Sequence, residues 1–333
     1  LTGLGDATVN GTLSLGSNSG GNAEIEGSSV EFGGTVNTNS GRVILNSSSK
    51  AQTLSGGGSD YSVADLEIDN GDGVSLGNGD NLTVAGELRL TNGTLSQAGS
   101  ETLTLSGGST VRRSGGSLGF PPSFGSPVNV IYEAALTTGP ELSTSNLGDL
   151  TIDPSGMSTV TLNASPSVGG RLTLGSGTLD LGGNTLTMED GTTIERSTGT
   201  ISGAPSFSGT THAVYTAGVT TGNEFPGSAL GSLTINASSS TVELAGSTNP
   251  TVSSDLNVTA GTFDDNGNTI TVNGGAPGNG TPTSSRRREL TFSGGGRSRT
   301  LVGRAPARAA GVLWKSPLLF RAHGRHLALG TEL

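Results

Sequence analysis

Cysteine is missing from the 333-residue chain, and aromatic residues make up only 4% of it. The absence of cysteine excludes disulfide bonds and thiolate-bound metals, so stability must come from backbone pairing and packing. Charged residues contribute 13% and hydrophobic residues 31%, both below the shares of an ordinary globular domain. We therefore expect no conventional wide core.

Long apolar runs are also missing, and basic residues are scarce in most of the chain. No stretch of 18 apolar residues occurs, which predicts no transmembrane helix. The sequence starts at Leu1 without a signal-like segment, so we expect an internal or processed fragment. Residues 1–285 hold 7 basic against 25 acidic residues, whereas residues 286–333 hold 10 against 2. An acidic body repels phosphates and anionic lipids, which argues against a nucleic-acid partner and against membrane insertion.

The abundant residues form short alternating stretches separated by turn signals. Leu103-Thr104-Leu105 and Leu172-Thr173-Leu174 alternate with period two, which is typical of strands with one buried face. Dipeptides such as Asn92-Gly93 and Asn266-Gly267 tolerate positive φ and indicate sharp turns. The chain is therefore predicted to be all-β.

An internal repeat with a period of about 83 residues organises these stretches. Ile131-Tyr132 and Thr137 to Glu141 return as Val214-Tyr215 and Thr220 to Glu224, all with the same displacement. That displacement also relates Arg113 to Arg196 and Phe124 to Phe207. The strand cores contain Leu66, Leu150 and Leu233, so the second interval is one position shorter than the first. This drift indicates an insertion or deletion in a loop.

Two architectures accommodate many short strands, a solenoid and a row of β-sandwich domains. Apolar stretches of three to five residues with few aromatic residues favour the solenoid, because a sandwich must fill a core about 10 Å thick. We predict a right-handed parallel β-helix or β-solenoid with about 20 residues per coil, and keep tandem β-sandwich domains as the alternative.

The repeat also predicts domain boundaries. A Gly/Pro/Ser-rich segment is typical of a linker, and the basic segment after it differs in composition from the body, so we expect it to be disordered or not native. The predicted parts are a partial N-terminal repeat at 1–47, repeat units at 48–130, 131–213 and 214–272 (the last one partial), a linker at 273–285 and a tail at 286–333.

The repeated unit resembles the exported β-strand-repeat surface or adhesin-like proteins of Bacteroidetes-type bacteria. The likeness covers roughly residues 48–275 and rests on Tyr215, Thr220 to Glu224, Leu233 to Asn236 and, in the middle copy, Gly177 to Thr187. This resemblance implies a large exported protein anchored to, or released from, the cell surface. It is a style of repeat and implies no catalytic residue.

Candidate metal ligands lie in acidic turns. Carboxylate and carbonyl oxygens suit Ca²⁺, but the spacing here matches neither an EF-hand loop nor a calcium β-roll, and Asp and Asn are also common turn formers. We expect no bound cofactor, and the only candidates for a calcium site are Asp69, Asp72, Asp80, Asp264 and Asp265.

Other polar residues have structural interpretations that compete with functional ones. The carboxylates of Glu141 and Glu224 follow Thr-Thr-Gly in both repeats and are expected to accept backbone N–H bonds. His212 has no partner motif and is interpreted as a surface histidine. The Thr-x-Thr triplets at 102–104, 185–187 and 269–271 are interpreted as outward strand threonines. Their recurrence once per repeat predicts no continuous ice-binding array.

We therefore predict a non-enzymatic extracellular or cell-surface stalk, spacer or adhesin. Its partners would be neighbouring repeats or copies of itself, or else surface glycans and host or cell-surface ligands. One alternative is a polysaccharide-binding or polysaccharide-cleaving β-helix, and another is a self-assembling filament subunit. If the chain cleaved polysaccharides with a pair of carboxylates, the candidate catalytic residues would be Asp180, Glu189, Asp190 and Glu195.

Overall fold

A computed structural model shows that parallel strands stack as a β-solenoid, with almost no helix. It describes residues 22–273 except 33–34, 38–40, 78, 126, 143–146 and 247, together with the backbone of short strands on either side. Two compact units are present, unit 1 at Leu1–Thr187 and unit 2 at Met188–Leu333. These units do not coincide with the sequence repeats, because each contains coils from more than one repeat. The repeat boundaries and the roles of linker and tail stay predictions.

Unit 1 is built almost entirely from strands of two to six residues. Its one short 3-10 helix spans Pro140–Leu142. The strands are β1 Ala7–Val9, β2 Leu13–Ser14, β3 Ala23–Ile25, β4 Ser29–Phe32, β5 Thr35–Asn37, β6 Val43–Leu45, β7 Gln52–Ser55, β8 Tyr61–Val63, β9 Leu66–Asp69, β10 Val74–Leu76, β11 Leu82–Val84, β12 Glu87–Asn92, β13 Thr94–Gln97, β14 Leu103–Leu105, β15 Thr110–Arg113, β16 Ser117–Leu118, β17 Ser123–Phe124, β18 Val128–Tyr132, β19 Leu136–Thr137, β20 Leu147–Ile152, β21 Thr159–Thr161, β22 Ser167–Val168, β23 Arg171–Leu174 and β24 Thr178–Asp180.

Strand β25, Thr187–Met188, lies at the junction of the two units. Unit 2 contains a second 3-10 helix at Gly227–Ala229. Its strands are β26 Thr193–Arg196, β27 Thr200–Ile201, β28 Ser206–Phe207, β29 Thr211–Tyr215, β30 Leu230–Glu243, β31 Thr251–Val252, β32 Leu256–Asp264, β33 Thr271–Val272, β34 Thr281–Thr283, β35 Arg288–Gly294, β36 Arg297–Gly303, β37 Phe320–Ala322 and β38 Arg325–Leu327.

In unit 1 successive coils add strands to three long parallel sheets, and β19, β21 and β24 form a shorter one. The first sheet runs from β3 through β6, β9, β12, β15, β18 and β20 to β23, the second from β1 through β4, β7, β10 and β13 to β16, and the third from β2 through β5, β8, β11 and β14 to β17. Every pairing among these strands is parallel, so the solenoid prediction is confirmed and tandem β-sandwich domains are not what these residues form.

Coil length explains the sequence repeat. Leu66 aligns with Leu88 and Leu88 with Val111, which define two longer coils. Val111 then aligns with Val130 and Val130 with Leu150, which define two shorter ones. The interval from Leu66 to Leu150 is therefore four coils, with an average close to the predicted length. In unit 2 the two shorter coils recur, from Ile194 to Ala213 and from Ala213 to Leu233.

The core is a set of inward columns, each with one side chain per coil. In the first sheet of unit 1, Val43, Leu66, Leu88, Val111, Val130, Leu150 and Leu172 align in register and are fully buried. Alternation places the residues between them on the outer face, as period two predicts. Small and branched apolar residues thus suffice to fill the narrow interior.

Beyond Asn273 the structure describes backbone only. The predicted linker at 273–285 lies mostly outside the described residues, apart from β34, which pairs parallel with β32. In the predicted tail, β35 pairs antiparallel with β36, β36 with β37, and β37 with β38.

Candidate functional site: repeated buried ion-pair clamps and a charged outer face

One inward column of the first sheet in unit 1 contains a charged residue. The column runs Leu45, Ile68, Leu90, Arg113, Tyr132, Ile152 and Leu174. Arg113 is only 4% exposed, and its guanidinium lies 5.9 Å from the centre of the Tyr132 ring. A buried cation requires a paired anion, because an isolated charge is costly to remove from water.

That anion is Glu141, in the 3-10 helix after β19. Its Oε1 accepts hydrogen bonds from Arg113 Nη1 at 2.5 Å, from the Tyr132 hydroxyl at 2.7 Å and from the Gly139 amide at 2.9 Å. Arg113 Nε also donates to the Gly116 carbonyl at 2.8 Å. We call Arg113, Tyr132 and Glu141 the first clamp; it ties three neighbouring segments of unit 1 together.

Unit 2 contains the same arrangement at the equivalent positions of the next repeat, which we call the second clamp. Glu224 Oε1 accepts from Arg196 Nη1 at 2.6 Å, from the Tyr215 hydroxyl at 3.1 Å and from the Gly222 amide at 2.9 Å. Arg196 Nε donates to the Gly199 carbonyl at 2.7 Å, as Arg113 does to Gly116. The hydrogen bonds of the first clamp are thus reproduced one for one.

The two clamps share their electrostatics. Burial, and next the charge of Glu141, raise the pKa of Tyr132 well above its usual value. Burial and Glu224 raise the pKa of Tyr215 in the same way. Both phenols therefore stay neutral donors near neutral pH, as the carboxylate oxygen requires.

The repeated Thr-Thr-Gly-x-Glu motif follows from this geometry. A Cβ on Gly139 would lie 2.7 Å from Glu141 Oε2, and one on Gly222 would lie 2.9 Å from Glu224 Oε2. The second threonine holds the next coil, since Thr138 Oγ1 accepts the Asn163 amide at 2.9 Å. The predicted role of Glu141 and Glu224 as acceptors of backbone N–H groups is confirmed. Their ion pairs with arginine were not predicted.

A second group of charges lies on the outer face of the same sheet in unit 1. It combines three arginines and three glutamates from successive coils, and its side chains are 14–31% exposed. Arg112 Nε lies 3.0 Å from a Glu87 carboxylate oxygen, and Arg42 Nη1 lies 3.1 Å from one of Glu67. We call this group the charge ladder; its members are Arg42, Glu67, Glu87, Arg89, Arg112 and Glu133.

The turn that contains Asp69 and Asp72 is organised by the residue between them. Asn70 is fully buried; its Nδ2 donates to the Lys50 carbonyl and to Gln52 Oε1, both at 3.0 Å. The Asp72 side chain is exposed, and the Asp72 amide donates to Asn70 Oδ1 at 2.9 Å. Burial and the nearby Glu67 carboxylate raise the pKa of Asp69. This turn is therefore held by an amide side chain and not by convergent carboxylates.

The other calcium candidates also accept hydrogen bonds from the chain itself. Asp80 Oδ2 accepts the amides of Gly56 and Gly58 at 2.9 and 3.0 Å. Asp264 and Asp265 accept the amides two residues ahead, at 2.9 and 3.2 Å. In the described part of the chain, no three Asp, Glu or His side chains are grouped so that they could hold a metal ion.

Sequence reasoning missed Glu101, which lies one coil after Asp80. The two carboxylates are 4% and 5% exposed, and Glu101 accepts the amides of Gly79 at 3.1 Å and Gly99 at 2.6 Å. Backbone hydrogen bonds, led by that of its own amide, lower the pKa of Glu101. The one-residue change in the repeat interval falls between Leu95 and Thr102, where the loop is one residue longer than its equivalent in the next repeat. Glu101 lies in this longer loop.

The carboxylates considered for polysaccharide cleavage lie in separate settings. Asp180 ends β24 of unit 1, where its Oδ1 accepts the Gly182 amide at 3.1 Å. In unit 2, Glu189 is exposed, Asp190 Oδ1 accepts the Thr210 amide at 2.7 Å, and Glu195 points outward from β26. The hydrogen bonds of Asp180 and Asp190 give both a role in holding turns.

The Thr-x-Thr triplets lie on the outer face, as predicted. Thr102 donates to Asn81 Oδ1 through both its amide, at 2.9 Å, and its hydroxyl, at 2.8 Å. Thr104 belongs to an outward file of hydroxyl groups on successive coils of the third sheet, Ser62, Thr83, Thr104 and Ser123. The once-per-repeat spacing did not predict this file, because serine replaces threonine in it.

The fold and these contacts define a β-solenoid repeat protein whose buried polar groups serve the packing of its coils. Comparison with family models, with curated proteins and with solved structures finds no match. No helix among the described residues has the length and apolar character needed to cross a bilayer.

Proposed function

We propose that this chain is a non-catalytic structural or adhesive segment, a stalk or spacer that works outside the cell or at its surface. The observation that carries the proposal is the repeated clamp. Two sets of three buried polar side chains, one in each unit, make the same internal hydrogen bonds. Such a pattern serves mechanical cohesion between coils, because each clamp joins segments that follow one another along the solenoid.

The hydrogen bonds of two other buried carboxylates support the same function. Asp80 and Glu101 both accept backbone amides from glycines in neighbouring turns. An active-site carboxylate needs a free oxygen that faces a substrate, whereas these oxygens face the backbone. Asp80 and Glu101 thus stabilise turns, which is what a spacer requires.

The outer surface supports contact with other surfaces. Hydroxyl side chains and the charge ladder occupy many outward positions of unit 1, while most apolar side chains point inward. A polar, hydrogen-bonding exterior suits glycans and other hydrated ligands at a cell surface. Export and surface attachment belong to the proposal, together with the resemblance to exported repeat proteins.

Single-molecule force spectroscopy on the full chain tests the mechanical function. A stalk should resist extension and then yield in discrete steps, and Arg113→Met should lower the force of the steps that belong to unit 1. Lys50→Met, at an exposed position in the same unit, is the matched control. Smooth extension without steps would contradict the proposal.

A turnover assay tests the proposal that the chain is not an enzyme. The full chain is incubated with neutral and acidic polysaccharides, and the release of new chain ends is measured against Glu189→Gln and Asp190→Asn variants. We expect no release above background. Turnover that either substitution abolishes would instead establish the polysaccharide-cleaving alternative.

A further inference from the structure

His212 makes a hydrogen bond in unit 2 that requires an unprotonated ring nitrogen. It lies at an outward position of β29, and its Nδ1 is 3.1 Å from the Ser232 amide nitrogen and 2.8 Å from Ser232 Oγ. A backbone amide can only donate, so Nδ1 must be the unprotonated nitrogen and the proton of the neutral ring must be on Nε2. The contact therefore selects one tautomer.

The preceding repeat solves the same structural problem with a different side chain. Asn129 is the repeat equivalent of His212, and its Oδ1 accepts the Asp149 amide at 2.9 Å. A glycine precedes the donor in both places. A Cβ on Gly148 would lie 2.7 Å from Asn129 Oδ1, and one on Gly231 would lie 2.9 Å from His212 Nδ1. Histidine thus takes the place of an asparagine acceptor in a site whose backbone fits it closely.

The two acceptors differ in their response to acid. An amide oxygen accepts hydrogen bonds at every physiological pH, whereas imidazole Nδ1 loses its lone pair when the ring is protonated, near pH 6.5 for an ordinary histidine. Ser232 Oγ can reverse its role and accept from the protonated ring. The Ser232 amide cannot reverse, and it would then face a second donor.

We propose that His212 is a pH-sensitive staple between consecutive coils of unit 2, closed when its ring is neutral and opened at the Ser232 amide when the ring is protonated. Asn129 is the pH-insensitive counterpart in unit 1. A chain segment outside the cell that meets acid would thereby loosen at one defined joint.

Other titratable and charged groups lie on the elements around the staple. On β26, Thr193 aligns with His212, and Glu195 is the outward charge of that strand. Asp190 lies before β26 and Asp255 before β32, while Arg196, Tyr215 and Glu224 form the second clamp on the inner side. Carboxylates as a class titrate near pH 4, about two pH units below histidine.

Amide hydrogen exchange measured by NMR on the full chain tests the proposal. Between about pH 7.5 and about pH 5.5, which brackets histidine titration, the protection of the Ser232 amide, corrected for intrinsic exchange, should fall about tenfold, as expected for one lost backbone hydrogen bond. The Asp149 amide in the same sample is the control and should change by less than about twofold. Ring signals of His212, assigned by their loss in His212→Asn, report its protonation.

Two variants complete the test. His212→Asn should make the protection of Ser232 independent of pH, and Asn129→His should transfer the pH dependence to the Asp149 amide, even if the first variant folds poorly. The proposal is wrong if Ser232 stays protected while the His212 ring titrates, or if Ser232 and Asp149 lose protection by the same factor.

Discussion

The two compact units share an interior feature and differ on the outside. Unit 1 and unit 2 each contain one clamp with the same donors, the same acceptor oxygen and the same glycine beside it. On the outer face of the corresponding sheet, unit 1 has the charge ladder, whereas the outward column of unit 2 reads Glu195, Val214, Thr234 and Asn257. The interior of this solenoid is repeated closely, and its surface varies.

The clamps themselves differ in tightness. The Tyr132 hydroxyl lies 2.7 Å from its carboxylate oxygen, and that of Tyr215 lies 3.1 Å away. The side chains of Arg113 and Glu141 are 5% and 0% exposed, against 8% and 2% for Arg196 and Glu224. Within the described residues, Glu141 Oε2 has no hydrogen-bond partner. The first clamp is therefore the more desolvated of the two.

Breaking each clamp from its arginine side should have the largest effect. Arg113→Met leaves Glu141 buried without its cation, so we expect unit 1 to lose about 3 to 5 kcal/mol of unfolding free energy. Arg196→Met should destabilise unit 2 by somewhat less, because its clamp is more exposed. Hydrogen exchange followed by mass spectrometry, in increasing urea, resolves the two units.

A double variant separates the clamp's net contribution from the cost of an unpaired charge. Arg113→Met combined with Glu141→Leu should destabilise unit 1 less than Arg113→Met alone, because no unpaired charge remains. Equal destabilisation by the single and double variants would show that the arginine acts through packing and not through the ion pair.

The sequence identifies the clamp residues without showing that they meet. Arg113, Tyr132 and Glu141 all recur in the next repeat, and Val111-Arg112-Arg113 alternates so that Arg113 points inward with Val111. Contact between Arg113 and Tyr132 requires one of the shorter coils at that place, whereas the sequence indicates only an average of about 20 residues per coil. The clamp could have been identified from polar residues at inward positions that all recur in the next repeat at the same distance along the sequence.

The strands themselves were more accessible to prediction. Leu103–Leu105 and Arg171–Leu174 are strands where the sequence alternates with period two. The arrangement of consecutive strands in several parallel sheets depends on turn geometry, which dipeptides such as Asn92-Gly93 do not specify. The staple at His212 was interpreted as a surface histidine, since its equivalence to Asn129 becomes meaningful only when the acceptor role of Asn129 is visible.

The next largest difference between the two units should be their loss of stability at alkaline pH. Unit 1 contains two buried tyrosines with raised pKa values, Tyr61 and Tyr132, and unit 2 contains one, Tyr215. A raised pKa in the folded state means that the stabilisation is complete below the ordinary tyrosine value of about 10 and is lost as the pH rises above it. Unit 1 should therefore lose stability more steeply in alkali, as measured by hydrogen exchange and phenolate absorbance.

Phenylalanine variants are the control for that titration. Tyr132→Phe should cost about 1.5 to 3 kcal/mol at neutral pH, because Glu141 loses a donor, and should reduce the alkaline loss in unit 1. Tyr215→Phe should do the same in unit 2 with a smaller effect, given its longer hydrogen bond. An unchanged alkaline slope in both variants would assign the loss to other groups.

Two residues with left-handed backbone conformation test the backbone of the two units. Gly156, in a turn of unit 1, has φ of 66°, and Ser239, within β30 of unit 2, has φ of 57°. A residue with a Cβ is strained in this left-handed region, so Ser239→Gly should stabilise unit 2 by about 1 kcal/mol and Gly156→Ala should destabilise unit 1 by a similar amount. Thermal unfolding measures both, and opposite signs are required.

The charge ladder should have the smallest effect, although it is the most visible difference between the units. Its side chains are partly exposed, and such ion pairs contribute about 0 to 1 kcal/mol each and are screened by salt. Arg89→Gln should therefore lower the stability of unit 1 by less than about 1 kcal/mol at low ionic strength, and high salt should remove the difference. Lys50→Gln, at an exposed site, is the control in the same unit. A loss that persists in high salt would mean that the aliphatic part of Arg89 packs on the sheet and that the ladder contributes through contact area as well as charge.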